Sequence, residues 1–370
     1  MRAAIIGCGV ISKTHIAALE AAGATVAWIC DDQPDRLANI AERVPAARQA
    51  SALETVLADP DVDVVHICTP HATHVEQLEA VLAAGKHVIT EKPLAATPEG
   101  VRRMLTAAEA AEARGQFAAC IFQHRYSRLA QLIRDVVADG RFGALTSARL
   151  PFRCTRRQSY YDKDAWRGTW AIEGGGVCIN QAIHSIDMLT WFCGNEPLEV
   201  TTDHLANVRL QGVIEVEDEA RAQVRFASGV IAEIDCANDQ QSGWDMEIQL
   251  RSERGYLSYS LNQGGRLLAL EHDDAELVAE LRACEQAIIN GETTAMPGKA
   301  DYGDLHAVQI ADCLTRIAAG DKPFIRIADA APTTELVLGI YHSAAKAAPA
   351  ALPLTEYLTP NLAAATAGKD

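Results

Sequence analysis

Ala3-Ala4-Ile5-Ile6-Gly7-Cys8-Gly9-Val10-Ile11-Ser12 is the stretch that decides the fold. Four apolar residues run into two glycines separated by one residue, and a helical pattern over 12–22 starts behind them. A buried strand that turns through glycines straight into a helix is the phosphate-cradling element of a doubly wound parallel sheet. Gly7 permits the tight turn, Gly9 lets the backbone approach a pyrophosphate, and Ser12 is small enough for close helix–strand packing. The helix N-terminus adds free N–H groups and a partial positive charge.

Outward from that loop, short apolar runs recur at 3–6, 25–30, 62–68, 87–90 and 117–122. Helical patterns lie at 12–22, 35–43, 73–84, 98–114 and 128–139. This alternation predicts a parallel sheet covered on both faces. The second strand ends in Cys30-Asp31-Asp32, with Asp31 nineteen residues beyond Ser12, where a carboxylate accepts from ribose hydroxyls. Such carboxylates repel a 2′-phosphate, so the expected cofactor is NAD rather than NADP. The third strand ends at the same sheet edge in Cys68-Thr69-Pro70-His71. Thr69 can present a hydroxyl there and Pro70 stiffens the turn, while His71 and His74 either reach the cofactor or serve the fold. The fourth ends in Thr90-Glu91-Lys92-Pro93, and a lysine at that edge is costly without a task or a partner.

Beyond Gly140-Arg141-Phe142-Gly143 the grammar changes. Ala220, Ala222, Val224 and Phe226 alternate with polar residues, the period-2 signature of a strand with one wet face. Ser228-Gly229 then turns the chain into another apolar run. Further strand candidates at 145–153, 198–204, 244–250, 255–259 and 266–270 make an open, mainly antiparallel sheet. Helices are expected at 274–290, 304–319 and 332–346. The fold class is therefore an α/β Rossmann domain over 1–123, an α+β substrate and oligomerisation domain over 124–350, and a loose tail over 351–370. In the second domain Gly174-Gly175-Gly176 permits close approach of a backbone or a ligand. Asn180 and His184 follow at i and i+4, on one expected helix face, and Asp187 stands where it can orient the histidine ring. Tyr160, Tyr161, Trp166 and Arg167 are candidates to line a substrate pocket.

Composition bounds the function. A net charge of −16 argues against a nucleic-acid partner, and no apolar run is long enough to cross a membrane. Met1-Arg2 leads at once into the first strand, so a cytoplasmic protein is expected. The ten cysteines are scattered singly, which predicts buried reduced thiols, and no Cys/His cluster at zinc spacing calls for a metal.

Taken together, these motifs resemble the Gfo/Idh/MocA oxidoreductases, the glucose–fructose oxidoreductase and inositol dehydrogenase family. The resemblance rests on 7–12, Thr69-Pro70 with His74, 85–88, Glu91-Lys92-Pro93, Gln123-His124-Arg125, 174–176 with His184 and Asp187, and 338–343. It implies an NAD-dependent dehydrogenase that oxidises a ring hydroxyl of a sugar, sugar derivative or cyclic polyol to a ketone. By the same resemblance Lys92 and His184 are catalytic, and Asn180, Trp166, Arg167 and Tyr160 meet the substrate. Cofactor contacts fall to Gly7, Cys8, Gly9, Val10, Ile11, Asp31, Asp32, Thr69, Pro70, His71, His74, Glu91, Lys92, Gln123, Trp166 and Arg167. A homodimer or homotetramer through the C-terminal sheet is also implied. The departure is Asn180, where inositol dehydrogenase-like members carry an aspartate. An NAD-sensing regulator and an NAD-dependent glycosidase using transient oxidation are the competing functions.

Overall fold

The computed structural model describes residues 1–239, 241, 243–291 and 303–362. In chain order the elements are β1 (Arg2–Ile6), α1 (Ser12–Ala21), β2 (Thr25–Cys30), α2 (Pro34–Ala41), β3 (Arg48–Ala50), α3 (Leu53–Leu57), β4 (Val64–Ile67), α4 (His74–Ala83), β5 (His87–Thr90), α5 (Pro98–Glu112) and β6 (Ala118–Cys120). There follow α6 (Arg128–Ala138), β7 (Leu145–Cys154), α7 (Gln158–Tyr161), a π turn (Val177–Gln181), α8 (Ile183–Phe192), β8 (Pro197–Ala206), β9 (Glu219–Phe226), β10 (Ile231–Asn238), β11 (Asp245–Ser252), β12 (Gly255–Ser260) and β13 (Arg266–His272). The last are α9 (Ala275–Ile289), α10 (Gly303–Ala319), α11 (Ile327–Lys346) and β14 (Ala350–Ala351).

The first six strands form a parallel sheet in the order β3-β2-β1-β4-β5-β6. The order reverses between β1 and β4, and ligands of doubly wound sheets bind at the carboxyl ends of strands beside such a reversal. Gly7 follows β1 there and Thr69 lies just past β4. The second sheet runs β13-β12-β11-β7-β10-β9-β8-β14. It is antiparallel except where β7 and β10 pair in parallel. Along β9 exposed and buried residues alternate, as the period-2 pattern required.

Two compact units result. One holds Met1–Ala95, Glu99–Tyr126 and, among the described residues, 303–331; the other holds Ala96–Pro98 and, among the described residues, 127–239, 241, 243–291 and 332–362. The expected boundary at 123/124 thus needs correction, because α10 returns to the first unit. Its Ala307, Ile310, Cys313 and Leu314 share one core with Ile5, Ile16 and Leu19. Gln309 also donates to the Cys120 carbonyl at 2.8 Å and accepts from the Phe122 N–H at 3.2 Å. The expected tail is corrected too: β14 pairs with β8, Leu354 is buried, and the Leu358 N–H reaches His342 Nδ1 at 3.1 Å. Residues 363–370 of that tail lie outside the described residues. All ten cysteines are free thiols, nine of them buried. Among the described residues no helix is long and apolar enough to cross a membrane.

Candidate active site

In the first unit the glycine loop has the expected shape for two separate reasons. Gly7 has φ +90°, and a Cβ on it would lie 2.7 Å from the Cys68 carbonyl carbon and oxygen. The tight position is therefore set by the neighbouring β4 end. A Cβ on Gly9 would meet nothing within 4 Å, so the backbone is bare where a pyrophosphate would approach. Buried Ser12 ties its hydroxyl to the Gly9 carbonyl at 2.7 Å. Val10 is exposed and Ile11 half-buried at the head of α1. The two acids past β2 differ. Asp31 braces the loop, with Oδ2 accepting from the Cys8 N–H at 2.7 Å and Oδ1 from the Gln33 N–H at 2.8 Å. Asp32 is exposed and accepts a 3.2 Å bond from the Gln33 side chain.

Thr69 donates to Gln77 Oε1 at 2.6 Å and, with Pro70, is half-buried. His71 is buried, its ring 5.9 Å from that of His74. His74 is fully buried, with Nδ1 2.8 Å from the Pro93 carbonyl oxygen and Nε2 3.0 Å from that of Thr69. Of the two roles open to His74, this geometry favours the one internal to the fold: the ring clasps the loops after β4 and β5. Gln123 is fully buried in a single turn after β6.

Glu91 is also internal. Its Oε1 lies 3.0 Å from His15 Nε2 and 3.4 Å from His306 Nε2, and its Oε2 accepts from the Lys92 N–H at 3.3 Å. His15 Nδ1 lies 2.9 Å from His66 Nδ1. Burial raises the Glu91 pKa, but the bonds from His15 and His306 outweigh it and hold the carboxyl well below the usual range. Half-buried Lys92 thus follows a fixed buried anion at the sheet edge. Sequence spacing did not reveal this trio, whose three metal-ligating atoms lie within 4.8 Å of one another. In this geometry His15 Nε2 hydrogen-bonds Glu91 Oε1, and His306 Nε2 stands 3.4 Å from the same oxygen.

In the second unit the triple glycine is explained by protein rather than ligand. Gly174 packs on Ala96, Gly175 on the Tyr341 hydroxyl and Gly176 on the Glu217 carbonyl, each too closely for a Cβ. Buried Glu217 then accepts from the Gly176 N–H at 2.8 Å, the Cys178 N–H at 3.0 Å and the Tyr341 hydroxyl at 2.9 Å. Burial raises its pKa to about 7, against these bonds, which lower it. This anchor starts the helix with a wide turn, the Ala182 N–H bonding the Val177 carbonyl at 2.8 Å. Asn180 lies in that π turn and His184 in α8, so the simple i,i+4 face expected from a regular helix is interrupted between them. His184 is buried. Asp187 accepts from the Thr333 hydroxyl at 2.8 Å.

The other expected substrate residues do come together. Tyr160 OH accepts from Asn180 Nδ2 at 3.2 Å and from Arg167. The Arg167 guanidinium lies 4.2 Å from the Tyr160 ring centre and 4.5 Å from that of Trp166, and Asp164 holds its Nε at 3.0 Å. Tyr161 is buried against Leu210, Ile214 and Val216 and belongs to the core. Glu173, fully buried and bonded to Asn180, was not anticipated; its one signal was an acid directly before the glycines.

Comparison with known proteins decides the family. Residues 1–118 match the oxidoreductase family with an NAD-binding Rossmann fold, and 130–258 match the Gfo/Idh/MocA C-terminal domain. The chain belongs to the Gfo/Idh/MocA family. This oxidoreductase therefore carries its NAD-binding fold in the first unit, where the bare Gly9 backbone and the two acids past β2 fit a dinucleotide. It is 33% identical to the 1,5-anhydro-D-fructose reductase of Ensifer adhaerens, over 62% of this chain and 67% of that one. The levoglucosan dehydrogenase of Pseudarthrobacter phenanthrenivorans is 25% identical, over 92% and 95% of the two chains. Among solved structures, the WlbA dehydrogenase of Bordetella pertussis, in complex with NADH and UDP-GlcNAcA, is similar at TM-score 0.82 and 27% identity, covering 96% of this chain and 98% of that one.

Proposed function

We propose that this Gfo/Idh/MocA enzyme oxidises a ring hydroxyl of a sugar, sugar derivative or cyclic polyol to a ketone. NAD, when bound, supplies the hydride acceptor. Lys92 donates a hydrogen bond to the oxygen as it becomes an alkoxide, and a preorganised donor of that kind is worth roughly 3–4 kcal/mol. His184 takes the hydroxyl proton, so hydride and proton leave from C–H and O–H and a C=O remains. Asn180, Tyr160, Trp166 and Arg167 hold the substrate. The observation that carries this reading is the setting of Lys92, directly after the fixed Glu91 anion at the carboxyl edge of an NAD-binding sheet. The relatives named for anhydrofructose and levoglucosan chemistry support a sugar-type substrate.

The test begins with a screen of sugars and cyclitols for NADH formation. With an active substrate in hand, Lys92→Ala and His184→Ala each lower kcat by at least about 10²-fold, the usual size of an acid–base contribution. NADH binding, followed by fluorescence, stays intact in His184→Ala. A His184→Ala enzyme with kcat near that of the parent overturns the mechanism.

A further inference from the structure

Glu173 lies outside the residues assigned above, yet it joins them. Its Oε1 accepts from Asn180 Nδ2 and its Oε2 accepts from the Gly168 N–H. One buried carboxylate thus ties the π turn that carries Asn180 to the segment that carries Trp166 and Arg167. Tyr160 closes the circuit, because its hydroxyl accepts from both Asn180 and Arg167. The path runs Glu173, Asn180, Tyr160, Arg167, Gly168 and back to Glu173.

The circuit fixes the sense of one amide. A carboxylate only accepts, whereas an asparagine side chain has a donor end and an acceptor end. With Glu173 and Tyr160 both receiving from Nδ2, Oδ1 points to the opposite side. An aspartate at 180 would bring a second carboxylate against Glu173 in a buried place, which raises the pKa of one of the two.

The geometry points to Glu173 as a positioning residue for the reaction, the acid half of an amide–carboxylate pair with Asn180. The pair sets the orientation of the side chain four positions ahead of His184. It rests on the reading of Asn180 as a substrate contact and His184 as the base.

Exchanging the two groups tests it. Four variants are needed: Glu173→Gln, Asn180→Asp, the double variant Glu173→Gln/Asn180→Asp, and the conservative Glu173→Asp. Each of the first two single changes lowers kcat/KM about tenfold or more. The double variant, which restores one amide and one carboxylate, regains about tenfold over Asn180→Asp alone, the size expected of a pair in contact. Asn180→Asp alone also adds an ionisation to the pH profile of kcat, and the double variant removes it. Glu173→Asp, which keeps the charge, recovers part of the activity lost in Glu173→Gln. Thermal unfolding of each variant separates stability from turnover. If the two changes are additive in kcat/KM, or couple in Tm alone, Glu173 has no positioning role. An active His184→Ala enzyme would remove the proposed base instead; a failure confined to this pair leaves turnover dependent on His184.

Discussion

Glu91 in the first unit and Glu217 in the second are both buried carboxylates, and each accepts three hydrogen bonds or close polar contacts from nearby donors. Their acidities move in opposite directions. Glu91 is held well below the usual range, and Glu217 is raised to about 7. Burial penalises the charged form in both. The difference lies in the donors. Glu91 faces two imidazoles, which can carry positive charge, while Glu217 faces two backbone N–H groups and a phenol. Bond number alone does not decide whether a buried acid is ionised; the charge its partners can supply does. The first unit thereby keeps a buried anion next to Lys92, whereas the second keeps an acid poised near neutrality under the π turn that bears Asn180.

The largest effect expected from breaking this contrast is at His15. His15→Leu leaves buried Glu91 without its 3.0 Å hydrogen bond to His15, and removal of one partner of a buried charged group costs about 3–5 kcal/mol. The sign follows from linkage. A carboxyl with a depressed folded pKa stabilises the protein above its unfolded pKa, and the gain is lost as pH falls through the folded value. In His15→Leu the depression is smaller, so less stability is lost on acidification and the loss is complete at higher pH than in the parent. Urea unfolding across pH 3–8 measures both, and a variant as stable as the parent would show that His15 does not hold the anion.

A smaller and opposite effect belongs to Glu217. Its folded pKa is raised from 4.5 to about 7, so its contribution is complete below the unfolded pKa and is lost as pH rises through the folded one. The loss amounts to about 3 kcal/mol, at 1.36 kcal/mol per pKa unit. Glu217→Gln cannot ionise, so the slope of stability between pH 4.5 and 7 flattens. An unchanged slope would mean that other groups cause it.

Neither carboxylate was singled out by its expected partners in the sequence, and the reason is physical. The parallel sheet and the Gly7 turn were legible because apolar periodicity and a glycine-forced turn are local properties. The pair at Asp31 and Asp32 was legible for the same reason, lying at a fixed distance from the loop. β3 escaped because Arg48-Gln49-Ala50 offers a single apolar residue on an edge strand. The partners of Glu91 escaped because His15 and His306 come from α1 and α10, with His66 of β4 behind His15, and only the folded sheet assembles them. The return of α10 to the first unit was hidden likewise, since its helical period is the same whichever core receives it. At 174–176 the glycines signalled a close approach but not what approaches, and Glu217 with Tyr341 fills that role. The i,i+4 relation of Asn180 and His184 presumed a regular helix, which the anchored π turn replaces.

The smallest predicted effect separates Asp31 from Asp32, which the sequence treats as equals. Asp31 accepts two backbone N–H bonds that shape the glycine loop, and Asp32 stands exposed beside it. Asp31→Ala deletes an acceptor for the Cys8 N–H, and hydrogen bonds to charged groups are worth about 1.5–3 kcal/mol. It should lower Tm and weaken NAD together. Asp32→Ala removes an exposed charge without unpairing a backbone donor, so stability stays within about 0.5 kcal/mol of the parent. What changes is the local field: with one carboxylate fewer, a 2′-phosphate is repelled less, and the ratio of kcat/KM for NAD over NADP falls. Steady-state kinetics with both cofactors, alongside thermal unfolding, reads the two variants on the same axes. If Asp32→Ala destabilises the protein as much as Asp31→Ala, the exposed acid is part of the loop's scaffold. If neither variant shifts the cofactor ratio, the discrimination against NADP resides elsewhere in the first unit.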